Sequence, residues 1–308
     1  MQINHSWQGL DPSTRGASCA MGNFDGVHLG HRAVIDLARG QGGPLGIITF
    51  EPHPREYFAP DAPPFRLMNS EARANRLAKL GVAQLYELPF GPELSALEPE
   101  AFARDVLAAG LGVRHVVVGA DFCFGRGRKG RASDLVALGA THGFAVTVAD
   151  LVTSGDRPIS STAIRDALTQ GHPREAAAML GHWHRIEGEV IHGEKRGRDL
   201  GYPTANMSVA GLHLPRLGIY AVLVDVLTGP QKGTYHGAAS LGVRPMFGRN
   251  EPNLETFLFD FDGNLYGQHL SIGFVEFLRP EMKFDGLSAL ISQMDSDCAR
   301  ARAILGAL

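Results

Sequence analysis

Two rhythms of apolar and polar positions run along this chain, and they change over near residue 183. In the first stretch, short apolar runs alternate with segments of helical periodicity. Residues 18–21 form an apolar run that leads into a glycine-marked turn. Residues 32–39 place Val34, Ile35, Leu37 and Ala38 at helical spacing and stop at Gly40. GIITF at 46–50 is short and rich in β-branched residues, residues 71–80 read as a helix ended by Gly81, and QLYELPF is a strand candidate. Residues 99–109 read as helix, HVVVG at 115–119 as strand, residues 135–142 as helix and FAVTVADL as strand. This alternation predicts a parallel sheet covered by helices, whose ligands bind beyond the C-terminal ends of the strands.

After residue 183, RIEGEVIHG, GIYAVLVDVL, YHGAASLGV, ETFLFDF and LSIGFVEFL are strand-like pieces separated by Gly, Pro and Asn. They predict an antiparallel barrel or sandwich. The tail differs again. Leu287, Leu290, Ile291, Met294, Cys298, Ala301 and Leu305 recur at helical spacing behind Asp285, a candidate N-cap, which predicts an amphipathic helix packed on the barrel. The chain has no internal repeat, and its first ~15 residues carry no assignable role.

Composition narrows the classes. With 308 residues, of which 44% are hydrophobic and 20% charged, the chain can fill one large or two moderate cores. A net charge of −3 speaks against a general nucleic-acid binder. Cys19, Cys123 and Cys298 are odd in number, far apart and in no C-x-x-C pair, so a reduced, cytoplasmic protein is expected, with neither disulfide framework nor zinc ribbon. The N-terminus lacks the basic and apolar regions of a signal peptide. No run approaches ~18 apolar residues, so no membrane span is expected. A homo-oligomer is left open.

GNFDGVHLGH, residues 22–31, falls where a strand gives way to a helix. His28 and His31 are three apart and share a face of the first helical turn. Backbone N–H groups and the positive end of the helix dipole point the same way, and Gly26 and Gly30 allow close approach, so the favoured ligand is phosphate. A bare H-x-x-H is more often a surface feature or half a metal site. The whole stretch, however, resembles the H-x-G-H motif of nucleotidylyltransferases, in the form found in prokaryotic bifunctional riboflavin kinase/FAD synthetases. TFEPHP at 49–54 is similar to that family's second motif, with Glu51 where aspartate is more usual. VVVGADFCFGRGRKG resembles its flavin-side loop. PISSTAIRDAL resembles its I-S-S-T-x-I-R motif, with Pro158 in place of a common arginine. Ser160, Ser161 and Thr162 there are capping hydroxyls, and Arg165 sits one turn into the helix. The resemblance implies that His28, His31, Ser161, Thr162 and Arg165 hold the ATP phosphates, with Asn23 and Asp25 close by, and that Asp121 faces the flavin.

In the second half, HGEKRGRDLGYPTANM resembles the riboflavin kinase signature. Thr204 and Asn206 point to one side of an extended segment, and their oxygens suit Mg²⁺. Gly193 and Lys195 are implied at ATP and Arg198 at the flavin. NLETFLFDFDGNLYG resembles the segment that holds the family's catalytic glutamate, here Glu255. If it is a strand, Glu255 shares a face with Phe257, Phe259 and Phe261, and an acid beside apolar surface has a raised pKa suited to a general base.

The resemblance runs from about Ala20 to Ala303. It implies an α/β, Rossmann-like adenylyltransferase domain at 1–182 and a β-barrel riboflavin kinase domain with a C-terminal helix at 183–308. Substrates and products would be ATP, riboflavin, FMN and FAD, with no nucleic-acid or membrane partner. Met246, where the family usually has threonine, supports an alternative: a monofunctional FAD synthetase with a flavin-binding, kinase-inactive C-terminal domain.

Overall fold

The computed structural model describes residues 1–150, 152–154, 157–193, 201–246 and 249–308, with backbone alone at 154, 157, 158, 244–246 and 249–251. The fold divides into two compact units: Met1–Pro63 with Arg73–Ser160, and Pro64–Ala72 with Ser161–Leu308.

The first unit is built on β1 (Gln2–Asn4), β2 (Ser18–Met21), β3 (Leu45–Glu51), β4 (Gln84–Pro89), β5 (His115–Gly119) and, after the short hairpin β6 (Cys123–Phe124) and β7 (Gly130–Arg131), β8 (Ala145–Ala149). These six longer strands form one sheet in the order β1-β4-β3-β2-β5-β8. Every pair in it is parallel. The chain winds outward from β2 through β3 to β4, then returns to lay β5 against the other side of β2. The strand order therefore reverses between β2 and β5, and it is at the C-terminal ends of strands at such a reversal that sheets of this kind bind ligands. The strands read as near-continuous apolar runs because helices cover both faces; Ile47, Ile48, Val116, Val117 and Val118 have no exposed surface. α1 (Leu29–Arg39) buries Ile35 and Ala38 against them. α2 (Pro54–Phe58), α3 (Ser70–Lys79), α4 (Pro92–Ser95) and α5 (Pro99–Ala101) follow, and α5 runs on as a π-helix over Phe102–Leu111 that closes on left-handed Gly112. α6 (Ala132–His142) precedes β8.

The N-terminal residues, without a role on sequence grounds, form the edge strand β1 beside β4 and send Trp7 into the core. Three residues are too few for an alternation to register, which is why the sequence does not announce that strand.

The second unit contains α7 (Ser161–Gln170), α8 (Pro173–Leu180) and, after the two-residue strands β9 (Thr153–Ser154) and β10 (Arg157–Pro158) of the first unit, β11 (His184–Glu189), β12 (Thr204–Ser208), β13 (Gly218–Val226), β14 (Gly233–Met246), β15 (Arg249–Leu258) and β16 (His269–Arg279). Its sheet is antiparallel in the order β11-β16-β13-β14-β15-β12. An isolated bridge from Ile191 to Asn206 brings the two edges together, giving a barrel-like closure. α7 packs Ile164, Ala167 and Leu168 on Leu67, and Arg174 at the start of α8 donates to Glu276 of β16 at 2.5 Å. These contacts put the division by packing at Ser160/Ser161, whereas the change of sequence texture falls at 182/183.

The terminal helix α9 (Leu287–Leu305) lays Ala301 and Leu305 on Phe259 and Val275, and Asp297 binds Arg279 with two oxygens, at 2.7 Å from Nη2 and 3.1 Å from Nε. Its N-cap is Gly286, with no side-chain cap, so Asp285 does not take the role expected of it. Leu287 is 55% exposed because the stripe meets the barrel only in the helix's later turns.

His184 on β11 is buried against Phe274, with its ring Nε2 out of solvent and without a partner. Burial, with the charges of His182 and His213 adding, pushes its pKa down to about 3. The folded ring stays neutral where the unfolded one, near 6.5, takes up a proton, so stability falls as pH drops from 6.5 toward 3. Denaturant titrations should lose about 1.4 kcal/mol per pH unit below pH 6, and His184→Leu should flatten that slope. An unchanged slope would remove His184 as its source.

Candidate functional site

The stretch after β2 makes an abrupt turn. Phe24, Gly26 and Val27 all take positive φ, at 51°, 88° and 44°. For two of them this conformation opposes the side chain, and it is held because Phe24 and Val27 are buried at 1% and 0% exposure. His28 is the N-cap of α1, and its Nδ1 accepts the backbone N–H of His31 at 3.2 Å. The two imidazoles stack with centroids 3.6 Å apart and planes 17° from parallel. The shared face expected from the spacing is therefore present. Gly30 has a different duty from the one expected: a Cβ there would stand 3.1 Å from His28 Nδ1 and 3.6 Å from the Ile159 carbonyl. The close approach is to the His28 ring and to the backbone leading into α7.

His31 Nδ1 is buried without a partner. Burial first, and repulsion from His28 second, hold its pKa well below the ordinary histidine value. A neutral imidazole beside a helix N-terminus can donate a hydrogen bond to a phosphate oxygen without adding a proton of its own. Asn23 lies half-buried at the head of the turn, and Asp25 is buried at 4% exposure within it. Across the switch point, Asp121 lies exposed just past β5, its Oδ1 3.1 Å from where a Cβ on Gly119 would be.

Sequence reading missed an aromatic group on the same C-terminal edge. Tyr57 and Phe58 of α2 meet Phe90, just past β4, at 5.5 and 5.7 Å between centroids, and Phe50 joins them at 5.8 Å. Phe58 is 68% exposed. The signal was present as REYF after the proline motif, but only the parallel pairing of β3 and β4 brings it beside Phe90.

Ser161 opens α7, and Thr162 is exposed in its first turn. Arg165 donates Nε–H to the Phe65 carbonyl at 2.6 Å, with its guanidinium 5.3 Å from that residue's ring centroid. These three residues belong to the second unit.

The other motif residues gather on the barrel wall. Asn206 lies opposite Glu255 in the β12–β15 register, and Thr204 opposite Phe257. Ala205 and Met207 enter the core, so Thr204 and Asn206 face outward together. Asn206 is 6% exposed and held on three sides. Its Nδ2 donates to the Thr204 carbonyl at 3.2 Å, its Oδ1 accepts from Asn253 at 3.0 Å, and the backbone of Gly193 lies against its amide. Glu255 is half-buried beside Phe257, which with Phe259 joins the cluster under α9. Phe261 does not share that face: Asp260, at φ 55°, breaks the alternation, and Phe261 packs with Tyr235 on the barrel core. Lys195, Arg198 and the rest of the KRGR run lie outside the described residues, as does the Met246 side chain. A Cβ on Gly193 would sit 2.5 Å from Asn206 Nδ2. Gly193→Ala should therefore cost the barrel unit about 1–3 kcal/mol in denaturant unfolding and shift the Asn206 amide resonances; unaltered resonances would show that the contact is not held in solution.

Comparison with known proteins matches the two halves of the chain to two families in order. Residues 10–163 match the FAD synthetase family and residues 180–305 the riboflavin kinase family. Curated bifunctional riboflavin kinase/FMN adenylyltransferases are similar over nearly the whole chain: 40% identity for the Listeria monocytogenes protein (94% of this chain, 92% of that one), 38% for that of Pseudomonas fluorescens (99% and 98%) and 36% for that of Escherichia coli K12 (94% and 93%). A solved structure described as a macrolide-efflux protein from Streptococcus pneumoniae matches with a TM-score of 0.80 at 29% identity over 96% of each chain. Among the described residues no helix is long and apolar enough to cross a membrane. With both halves matched in order and identity sustained from end to end, this chain belongs to the bifunctional riboflavin kinase/FMN adenylyltransferase family.

Proposed function

We propose that residues 1–182 transfer the adenylyl group and residues 183–308 phosphorylate riboflavin. As a member of its family the chain converts riboflavin and ATP to FMN, and FMN and ATP to FAD. Similarity to bifunctional relatives across both halves favours this over the monofunctional alternative. What most supports the division of labour is the H-x-G-H turn at the switch point of a parallel sheet, in a chain whose barrel pairs Asn206 with Glu255.

In the first reaction an FMN phosphate oxygen attacks the α-phosphorus of ATP in line and pyrophosphate leaves, with no covalent enzyme intermediate. Catalysis then rests on position and charge. His28 and His31 donate to the phosphoryl oxygens at the N-terminus of α1, and the orphaned His31 ring nitrogen is a group that bound water or ligand would satisfy. Asn23 and Asp25 shape the turn. Family likeness supports Ser161, Thr162 and Arg165, at the start of α7 in the second unit, as phosphate-binding residues. Asp121 and the Tyr57–Phe58–Phe90 group face the flavin, whose planar ring suits aromatic edges.

In the second reaction Glu255 takes the proton from the ribityl 5′-hydroxyl as that oxygen attacks the ATP γ-phosphorus. Gly193, Lys195 and Arg198 attend the nucleotide and flavin. Mg²⁺ fits Thr204 and Asn206, two hard oxygen donors held on one face, with the remaining ligands from phosphate and water. When bound it neutralises the triphosphate. Thr204 and Asn206 orient the nucleotide, and Gly193 leaves Asn206 room to do so.

Incubation of the pure protein with riboflavin and Mg·ATP, with flavins resolved by chromatography, should give FMN and then FAD. Glu255→Gln should lower FMN formation by at least about 100-fold while supplied FMN still becomes FAD. Retained phosphorylation would dismiss Glu255 as the base. Untouched riboflavin in the wild type would make the C-terminal half a binding domain.

A further inference from the structure

Arg73 has the largest of the side chains buried almost completely, at 1% exposure. A lone guanidinium in such a place is costly, and this one is paired twice. Its Nη2 donates to Glu51 Oε2 at 2.8 Å and to Glu87 Oε1 at 2.5 Å. Glu51 ends β3 and Glu87 lies in β4, so the pair ties α3 to two adjacent strands at the ligand edge. The other arm of the fork does something else. Nη1 reaches the backbone carbonyl of Asn23 at 3.5 Å, and the same carbonyl accepts the hydroxyl of Thr49, itself fully buried, at 3.2 Å. Asn23 is the last residue before the run of positive φ that delivers His28 and His31.

We propose that Arg73 is a positioning residue for adenylyl transfer. With Thr49 it clamps the Asn23 carbonyl from beneath and so fixes the strained turn that aims the histidines. It touches no substrate. The inference rests on the reading of the H-x-G-H turn as the adenylyl-transfer site. The geometry explains why arginine serves here: the fork separates its carboxylate partners on Nη2 from the carbonyl on Nη1, whereas a lysine has a single nitrogen for both tasks. It also gives Glu51 a use, since its carboxylate fixes the fork in the plane that reaches Asn23.

The test is steady-state kinetics of FAD formation from supplied FMN, with the folded fraction of each variant taken from its own thermal unfolding curve. Arg73→Lys keeps a buried cation for the two carboxylates but loses the second arm. Its kcat should fall about 10- to 100-fold, in line with a small misplacement of reacting groups. Thr49→Val removes the other donor and buries no unpaired charge; its kcat should fall about 3- to 10-fold. KM for FMN should stay near wild type in both. The double variant should be non-additive, because both residues act on one carbonyl. A residue that merely holds the fold would lower the unfolding temperature and leave kcat per folded molecule alone, so wild-type kcat in both single variants overturns the proposal. His31→Asn is run beside them. If it too leaves FAD formation intact, the reading of the turn has failed; if it abolishes FAD formation while Arg73→Lys and Thr49→Val keep wild-type kcat, only the clamp has.

Discussion

The adenylyl-transfer half depends on a turn that its own residues resist. A non-glycine residue in the left-handed region costs roughly 1–2 kcal/mol, and this turn holds two, Phe24 and Val27, around Gly26. Burial of both side chains offsets that cost. The result is a turn tight enough to start α1 at once, with His28 as its cap. A relaxed turn would separate the stacked imidazoles.

The barrel solves a different problem. Its outward-facing residues must carry polar chemistry while the strand beneath fills a core. Period-two alternation does this on β12, where Ala205 and Met207 go in and Thr204 and Asn206 go out. Register then matters more than sequence spacing, since a one-residue slip of β15 would replace Glu255 opposite Asn206 by a core residue. Gly193 completes the arrangement by offering backbone where any side chain would displace the amide.

The two halves therefore hold their polar groups in different ways. One uses a helix terminus and a strained turn; the other uses paired strands and a glycine contact. Both keep those groups on elements fixed by packing, the condition for holding side chains in one geometry.

Much of this was legible in the chain. Apolar runs alternating with helical periods marked the parallel sheet, and the later Gly-, Pro- and Asn-separated strands marked the antiparallel one, because hydrophobic period is local information. The H-x-G-H turn, Thr204, Asn206 and Glu255 were found from residue type and spacing together with family likeness. What local sequence could not give was decided by long-range pairing. β1 is too short to register; Phe90 joins Tyr57 and Phe58 only through the β3–β4 pairing; Phe261 leaves the Glu255 face because one residue of positive φ breaks the alternation. Arg73 falls within the helix expected at 71–80, and only the tertiary fold buries it between two carboxylates and within reach of the Asn23 carbonyl. The sequence by itself determined element type, order and candidate chemistry, since these follow from neighbours within a few residues. The tertiary structure decided which charges are buried and which distant residues share an edge, since burial depends on chain segments that only folding brings together.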